Sequence, residues 1–333
     1  MTSKLISQPW IANARKSTLR DKKDLKQLFN EYLQACEYSS RLRPETIRGY
    51  KDIFRNFTNL MPGIDDPELI TSDSMTEFFQ KLETRKRIVG RGIEKSGVKK
   101  STIKTYWSKL NSFFEWLHIK EIIVKNPLEH MTPPQPEYND KRALRKAEIE
   151  KIITAIQMNS KNALILNRDM MIINLLIFCG LRKGEISSLQ VRDIDMSKRV
   201  LTVRGETSKS KKTRELPINQ STMIHIEEYL KERKIRGYKT EYLIVSNGSD
   251  SKLTVHGFKH WVKRLEEHSG VKFHLHRFRH TFACNLVRQN SNIANIQRLM
   301  GHTDLRMTQR YLRSLGVEDL REDVNRMSLD NLI

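Results

Sequence analysis

The sequence predicts a mainly α-helical chain of two domains, with one small β-sheet near the start of the second. Three observations carry that expectation. Apolar residues recur at three- and four-residue spacing through most of the chain, T-P-P-Q-P from Thr132 to Pro136 interrupts the pattern, and one stretch after Arg199 alternates apolar and polar side chains around a polar turn. The 333 residues suffice for two domains of ordinary size.

In chain order, Arg15, Lys16 and Arg20 lie in an aperiodic basic start expected to be a flexible arm. Leu25, Leu28, Phe29, Tyr32 and Leu33 then form the stripe of a first helix. A second begins at Pro44, which suits a first turn, and carries Ile47, Tyr50, Phe54 and Phe57 on one face. Met75, Phe78, Phe79 and Leu82 mark a third. Ser101 is the expected cap of a fourth, with Ile103, Trp107, Leu110, Phe114 and Leu117 on its apolar face. Aromatic residues at such spacing hold a small bundle together.

The opposite faces are basic. Arg43, Arg48, Lys51 and Arg55 accompany the second helix, and Lys99, Lys100, Lys104 and Lys109 the fourth. Residues 85–104, read as a basic loop, hold eight Lys or Arg against the single acid Glu94. A duplex backbone fits such faces. The strap follows Asn126-Pro127 and is too proline-rich for helix or central strand.

A new helical period starts after Lys141 with Leu144, Ile149, Ile152, Ile153 and Ile156. An apolar helix then ends at Gly180, and Arg182 follows with Glu185 three residues on. Val200, Leu201 and Val203 pair with R-E-L-P-I at 214–218 as a hairpin that carries Lys209, Lys211 and Lys212 near its tip. Met223, Ile226 and Leu230 mark another helix, Tyr242 to Val245 a short β segment, and Phe258, Trp261, Val262 and Leu265 a further helix.

Sixty lysines and arginines against thirty-nine acids give a net charge of +21, and the pI is near 9.9. An excess of that size exceeds what solubility requires and points to a polyanion, with nucleic acid favoured. No apolar run approaches the ~20 residues of a membrane span, and the N-terminus has no signal-peptide core. Cys36, Cys179 and Cys284 are widely separated, so they read as buried thiols and not as disulfides or a zinc site.

Chemistry concentrates near the C-terminus. His276 and Arg279 stand three apart on one helical face, and His302 follows Gly301 nine residues before Tyr311. Two imidazoles, a guanidinium and a phenol have no apolar reason to gather, whereas together they suit holding a phosphodiester, moving protons and supplying a nucleophile. His274 and His280 read as packing or hydrogen-bonding residues.

G-L-R-x-x-E-I from Gly180, then H-x-x-R from His276, then G-H at Gly301 and a tyrosine nine residues after His302, resemble the tyrosine recombinase family. The resemblance covers roughly Leu144 to Tyr311. It implies a site-specific DNA recombinase that cleaves and rejoins DNA through a 3′-phosphotyrosine intermediate, with exchange through a Holliday junction and a homotetramer on two sites. Tyr311 is then the nucleophile, Arg182 and Arg279 clamp the nonbridging oxygens, His302 donates a further hydrogen bond, and His276 takes the phenol proton or orients the phosphate. The resemblance also implies a catalytic lysine in the hairpin. Counting back from Arg214 and Pro217 places it at Lys209, with Lys211 as the alternative.

By the same resemblance the first helices form a core-binding, SAM-like domain, and Arg43, Arg48, Lys51, Lys99, Lys100, Lys104 and Lys109 are candidate DNA contacts. The expected organisation is an arm over residues 1–20, a core-binding domain over 21–125, a linker over 126–140, a catalytic domain over 141–315, and a tail over 316–333. That tail, with a possible helix from Val317 to Met327, either packs in cis or docks into a neighbouring protomer. Two basic lobes on a strap suggest a clamp around DNA. No cofactor or metal is expected, and no G-x-x-x-x-G-K-[ST] phosphate loop for ATP is present. Possible partners include accessory DNA-bending proteins, and the expected location is cytoplasmic, beside the nucleoid of a bacterial or similar host. Two alternatives are a type IB topoisomerase-like activity and a non-catalytic DNA-binding protein.

Overall fold

The computed structural model describes residues 23–89, 92–135, 143–208 and 210–312. The chain divides into two compact units, Met1–Tyr138 and Asn139–Ile333. Both are mainly helical, and each carries a small antiparallel sheet. The expected arm over 1–20, the tail over 316–333 with its helix, and Lys209 lie outside the described residues.

In the first unit, α1 (Leu25–Gln34) starts at Asp24, whose carboxylate accepts from Gln27 N, and runs on into a π-helical turn over Ala35–Ser39. Pro44 occupies the first turn of α2 (Pro44–Leu60). Thr71 and Ser74 cap the start of α3 (Ser72–Thr84) reciprocally. The last helix, α4, spans Lys100–Ile119. Their apolar stripes meet in an aromatic core, where the rings of Phe29 and Phe54 stack at 3.8 Å and Phe113 meets Phe29 edge-on at 5.2 Å.

Four details depart from the sequence reading. Lys99, in an extended conformation, is the N-cap of α4, so Ser101 falls inside the first turn. Tyr106 and Phe113 join its buried face, while Trp107 is only half-buried. The basic stretch after α3 is no loop but an antiparallel hairpin of β1 (Lys86–Val89) and β2 (Ile93–Ser96), with Val89 opposite Ile93. Residues from Asn126 to Met131 pack with this unit and do not begin an extended strap. Leu128 is fully buried, and the Asn126 amide donates to Asn111 and Glu115 at 2.9 and 3.0 Å.

In the second unit, α5 (Lys146–Asn159), α6 (Ala163–Cys179) and the short α7 (Lys183–Ser187) precede a three-stranded sheet. Its order is β3 (Ile194–Asp195), β4 (Val200–Val203), β5 (Arg214–Pro217), and Leu201 faces Leu216 across the last pair. The two-residue β3 has too little alternation to read from sequence. Tyr242 to Val245 forms only isolated bridges, to Gln190 and Lys252, although Leu243, Ile244 and Val245 are buried. Helices α8 (Gln220–Ile235), α9 (Val255–Ser269), α10 (Leu275–Arg288), α11 (Ile293–Met300) and α12 (Arg306–Leu312) complete the unit.

Helix α6 is apolar around most of its circumference, which marks a central helix, and Ile172, Ile173, Leu175 and Leu176 are fully buried. A satellite cluster of Phe282, Cys284, Val287, Ile296, Met300 and Tyr311 joins α10, α11 and α12. Phe282 of this cluster also lies against Gly180 at the end of α6, and the candidate site stands on the ends of α6 and α11. Among the described residues no helix is long and apolar enough to cross a membrane.

Candidate active site

Helix ends leave backbone carbonyls without intrahelical partners, at the negative pole of the helix dipole. Two such ends hold three arginines. Arg279 donates from Nη1 to the Gly180 carbonyl after α6 at 2.6 Å, and from Nη2 to the Met300 carbonyl at the end of α11. Arg182 Nη2 donates to the Gly301 carbonyl at 3.1 Å, and Arg214 Nε to the Leu299 carbonyl at 3.1 Å. Both capping residues are left-handed, a conformation that favours glycine. Gly180 and Gly301 have φ of +57° and +61°, and a Cβ there would meet the Phe282 ring at 2.2 Å or the Arg214 side chain at 3.0 Å.

The counter-charge is Glu185, with 1% of its surface exposed. It accepts from Arg182 N and Nη1, both at 2.8 Å, and from Arg214 Nη1 and Nη2 at 3.0 and 2.8 Å. Burial alone would raise its pKa, but the hydrogen bonds and charge of Arg214, then those of Arg182, hold it at about 2. Arg279 is also 1% exposed. Desolvation, then the like charge of Arg182, brings its pKa down to about 9, so it stays protonated at neutral pH. Three guanidiniums against one carboxylate leave two positive charges in excess, fixed before any anion arrives.

His302 extends the cluster toward Tyr311. Its Nε2 lies 3.2 Å from Arg279 Nη2, and its Nδ1 lies 2.9 Å from Thr308 Oγ1. A guanidinium only donates, so the Arg279 contact casts Nε2 as acceptor and leaves the proton on Nδ1, directed at Thr308. The His302 and Tyr311 rings are parallel within 8°, with centroids 6.2 Å apart, and the His280 ring packs on Tyr311 at 5.1 Å. Tyr311 is 3% exposed. Its ring is part of the satellite cluster of α10, α11 and α12.

The fold therefore brings Arg182, Arg279, His302 and Tyr311 together. His276 is exposed in the first turn of α10, one turn before Arg279. Lys209 lies outside the described residues. Its sequence neighbour Ser208 contacts Glu185 at 3.3 Å, so the turn between β4 and β5 is tied to the arginine cluster. Lys211 sits in that turn with φ of +56°, not on a strand, and Lys211 and Lys212 are exposed.

Among the first-unit cations, Arg48, Lys51, Lys99 and Lys100 are exposed, while Arg43 and Lys104 are half-buried. Lys104 donates to Gln135 at 3.3 Å. Lys109 departs from its expected role. Its ammonium donates to the Thr46 carbonyl at 3.2 Å and sits 3.8 Å over the Tyr50 ring, and burial lowers its pKa. It ties α4 to α2 and does not project toward a ligand.

Sequence reasoning missed Glu185, Arg214 and Thr308 as parts of the site. Glu185 stood in the G-L-R-x-x-E-I run but was given no role, and Arg214 served only to mark the return strand and to count back to Lys209. Thr308 carries no sequence signal beyond its place between His302 and Tyr311.

Fixed excess positive charge with a tyrosine at its edge suits an enzyme that transfers phosphoryl groups through a tyrosine. The sequence profile of the phage integrase family matches residues 142–316, and the chain belongs to that family. Tyrosine recombinase XerA of Saccharolobus solfataricus is 28% identical over 281 residues, covering 84% of this chain and 85% of the relative. XerA of Pyrococcus furiosus is 28% identical over 318 residues, covering 95% and 99%. The Tn1549 transposon integrase, solved in complex with a circular intermediate DNA, shares the fold with a TM-score of 0.73 at 19% identity, covering 90% of this chain and 98% of that one. A lambda integrase dimer bound to a COC′ core site gives 0.63 at 19%, covering 85% and 97%.

Proposed function

We propose that this chain is a site-specific DNA recombinase that cleaves and rejoins duplex DNA through a 3′-phosphotyrosine and exchanges strands between two sites by way of a Holliday junction. The observation that carries the reading is the continuous chain of contacts from Glu185 through Arg182 and the α11 carbonyls to Arg279, then to His302 beside Tyr311. The relatives' names, recombinases throughout, favour this over topoisomerase-like relaxation or DNA binding alone.

In the proposed step the Tyr311 oxygen attacks phosphorus, an O–P bond to the phenol forms, and the bond to the 5′ oxygen breaks. Arg182 and Arg279 neutralise charge growing on the nonbridging oxygens. Their planes are already fixed by carbonyls and Glu185, so little reorganisation is needed. His302 gives up Arg279 as its partner and, once protonated or switched in tautomer, donates from Nε2 to an oxygen. The phenol proton passes to His276, and Lys209 protonates the leaving 5′ oxygen. The phosphotyrosine keeps the bond energy for religation by reversal of the same step. Because Tyr311 is packed, attack requires α12 to turn the phenol outward when DNA binds.

The basic first unit supplies duplex binding through Arg43, Arg48, Lys51, Lys99, Lys100 and Lys104, and in a tetramer residues 316–333 either pack in cis or dock into a neighbouring protomer. The enzyme works where the cell keeps its DNA, and accessory bending proteins fit a reaction that pairs two sites. Covalent capture on nicked DNA tests the reading. Wild-type protein forms an adduct, and Tyr311→Phe binds the same DNA without forming one.

A further inference from the structure

The β1–β2 hairpin has no role in the site described above, yet it has three properties that a solvated connector does not need. Its base is pinned: Gly97 N donates to the Arg85 carbonyl at 2.9 Å, Arg87 Nε to the Gly97 carbonyl at 2.7 Å, and Ser96 Oγ to the Thr84 carbonyl at 3.3 Å. Every residue of β2 is exposed, so the ribbon projects from the unit with no core of its own. Ile88 and Ile93 are 76% and 58% exposed. The pairing puts Ile88 on the face with Lys86 and Glu94, and Ile93 on the face with Arg87, Lys95 and Val89, so a bare isoleucine stands beside one cation on the first face and two on the second.

Lysines on a hairpin often protect its edges from pairing with other strands. That purpose does not account for bare isoleucines on both faces, nor for pinning a two-stranded ribbon that is only marginally stable by itself. Its one acid, Glu94, lies 3.3 Å from Lys86 in an exposed pair of small value. Four residues per strand give a ribbon roughly 13 Å long, with strands ~5 Å apart. With side chains, that width matches a B-DNA major groove of about 12 Å, which admits a two-stranded ribbon.

We infer that the β1–β2 ribbon is a second DNA-reading element of this chain: it enters the major groove of duplex DNA with the face of Arg87, Ile93 and Lys95 toward the bases, Lys86 and Lys95 reach phosphates on the groove walls, and Ile93 contacts base edges such as thymine methyls. The inference deepens the DNA-recombinase reading and rests on it. Because β2 leads through Gly97 and Val98 into Lys99 at the start of α4, the ribbon would continue a cationic track along the same duplex.

Full-length wild-type protein and Lys86→Ala/Lys95→Ala are titrated with a 40-bp random-sequence duplex across salt concentrations. The slope of log K against log salt falls by about two in the variant, and affinity at 0.1 M salt falls roughly tenfold or more. An unchanged slope and affinity overturns the ribbon's role, as does a variant whose only change is in self-association, since that makes the ribbon a protein contact. On a dA·dT duplex against its dA·dU counterpart, wild type binds the thymine duplex severalfold tighter, and Ile93→Ser binds both alike while Ile88→Ser keeps the preference. Equal binding of both duplexes by wild type overturns the placement in the major groove. Adduct formation by wild type separates the two failures. If the adduct forms while Lys86→Ala/Lys95→Ala and Ile93→Ser match wild type, only the ribbon inference fails; if wild type neither binds duplex nor forms the adduct, the recombinase reading fails with it.

Discussion

Glu185→Gln is the substitution that bears most directly on how the arginines are held. It keeps the shape of the side chain and deletes the one negative charge among Arg182, Arg214 and Arg279. The shift of its pKa from 4.5 to about 2 corresponds to about 3 kcal/mol of stabilisation at neutral pH. Removing one partner of a buried ion pair costs ~3–5 kcal/mol by a separate argument. The folded-state pKa lies below the unfolded one, so this stability is present above about pH 4.5 and is lost as pH falls toward 2. Wild type should weaken across that window, and Glu185→Gln should lack that component while starting about 3 kcal/mol lower at pH 7. Urea titrations read by amide hydrogen exchange of peptides from residues 275–312 follow the second unit separately. A variant within about 1 kcal/mol of wild type at pH 7, falling in parallel with it in acid, would refute Glu185 as the charged anchor of the cluster.

Other substitutions probe single links. Arg279→Lys cannot serve two carbonyls and His302 at once, so DNA cleavage should fall by roughly 10²- to 10³-fold in single-turnover assays while the charge is retained. Gly301→Ala forces a left-handed residue, at about 1–2 kcal/mol, and its Cβ displaces Arg214; thermal denaturation should show a lower Tm, and cleavage should be slower. Thr308→Val removes the acceptor for His302 Nδ1 and should cut cleavage about tenfold and move its pH profile, with a stability cost of only about 1 kcal/mol. Lys109→Met should lower stability yet leave the salt dependence of DNA binding unchanged, because its ammonium is spent between Thr46 and Tyr50.

The helices were legible because their apolar stripes are long. Leu25 to Leu33, Pro44 to Phe57 and Ile172 to Leu176 announce helix and core in any context. The β1–β2 hairpin was hidden because cations occupy the positions where alternation is normally visible, and only Ile88, Val89 and Ile93 betray strand character. At the site, Arg182, Arg279, His302 and Tyr311 could be named from their order. What holds them could not. The anchors are the carbonyls of Gly180, Leu299, Met300 and Gly301, which every sequence possesses, and a Glu185–Arg214 pair separated by 29 residues of chain. Lys109 failed in the opposite sense. Its place on a basic helix face suggested DNA, and only the packing of α4 on α2 reveals that its ammonium turns inward.

The most direct test of the central claim is covalent capture. A duplex selected by binding from a random pool is nicked near candidate cleavage points, so that the cut strand cannot religate, and is incubated in EDTA with wild type and with Tyr311→Phe. The expected result is a wild-type protein–DNA adduct that is absent from Tyr311→Phe, with both proteins binding the duplex equally. An adduct that persists in Tyr311→Phe would place the nucleophile on another residue, and no adduct from wild type on a duplex it binds would contradict strand transfer by this site.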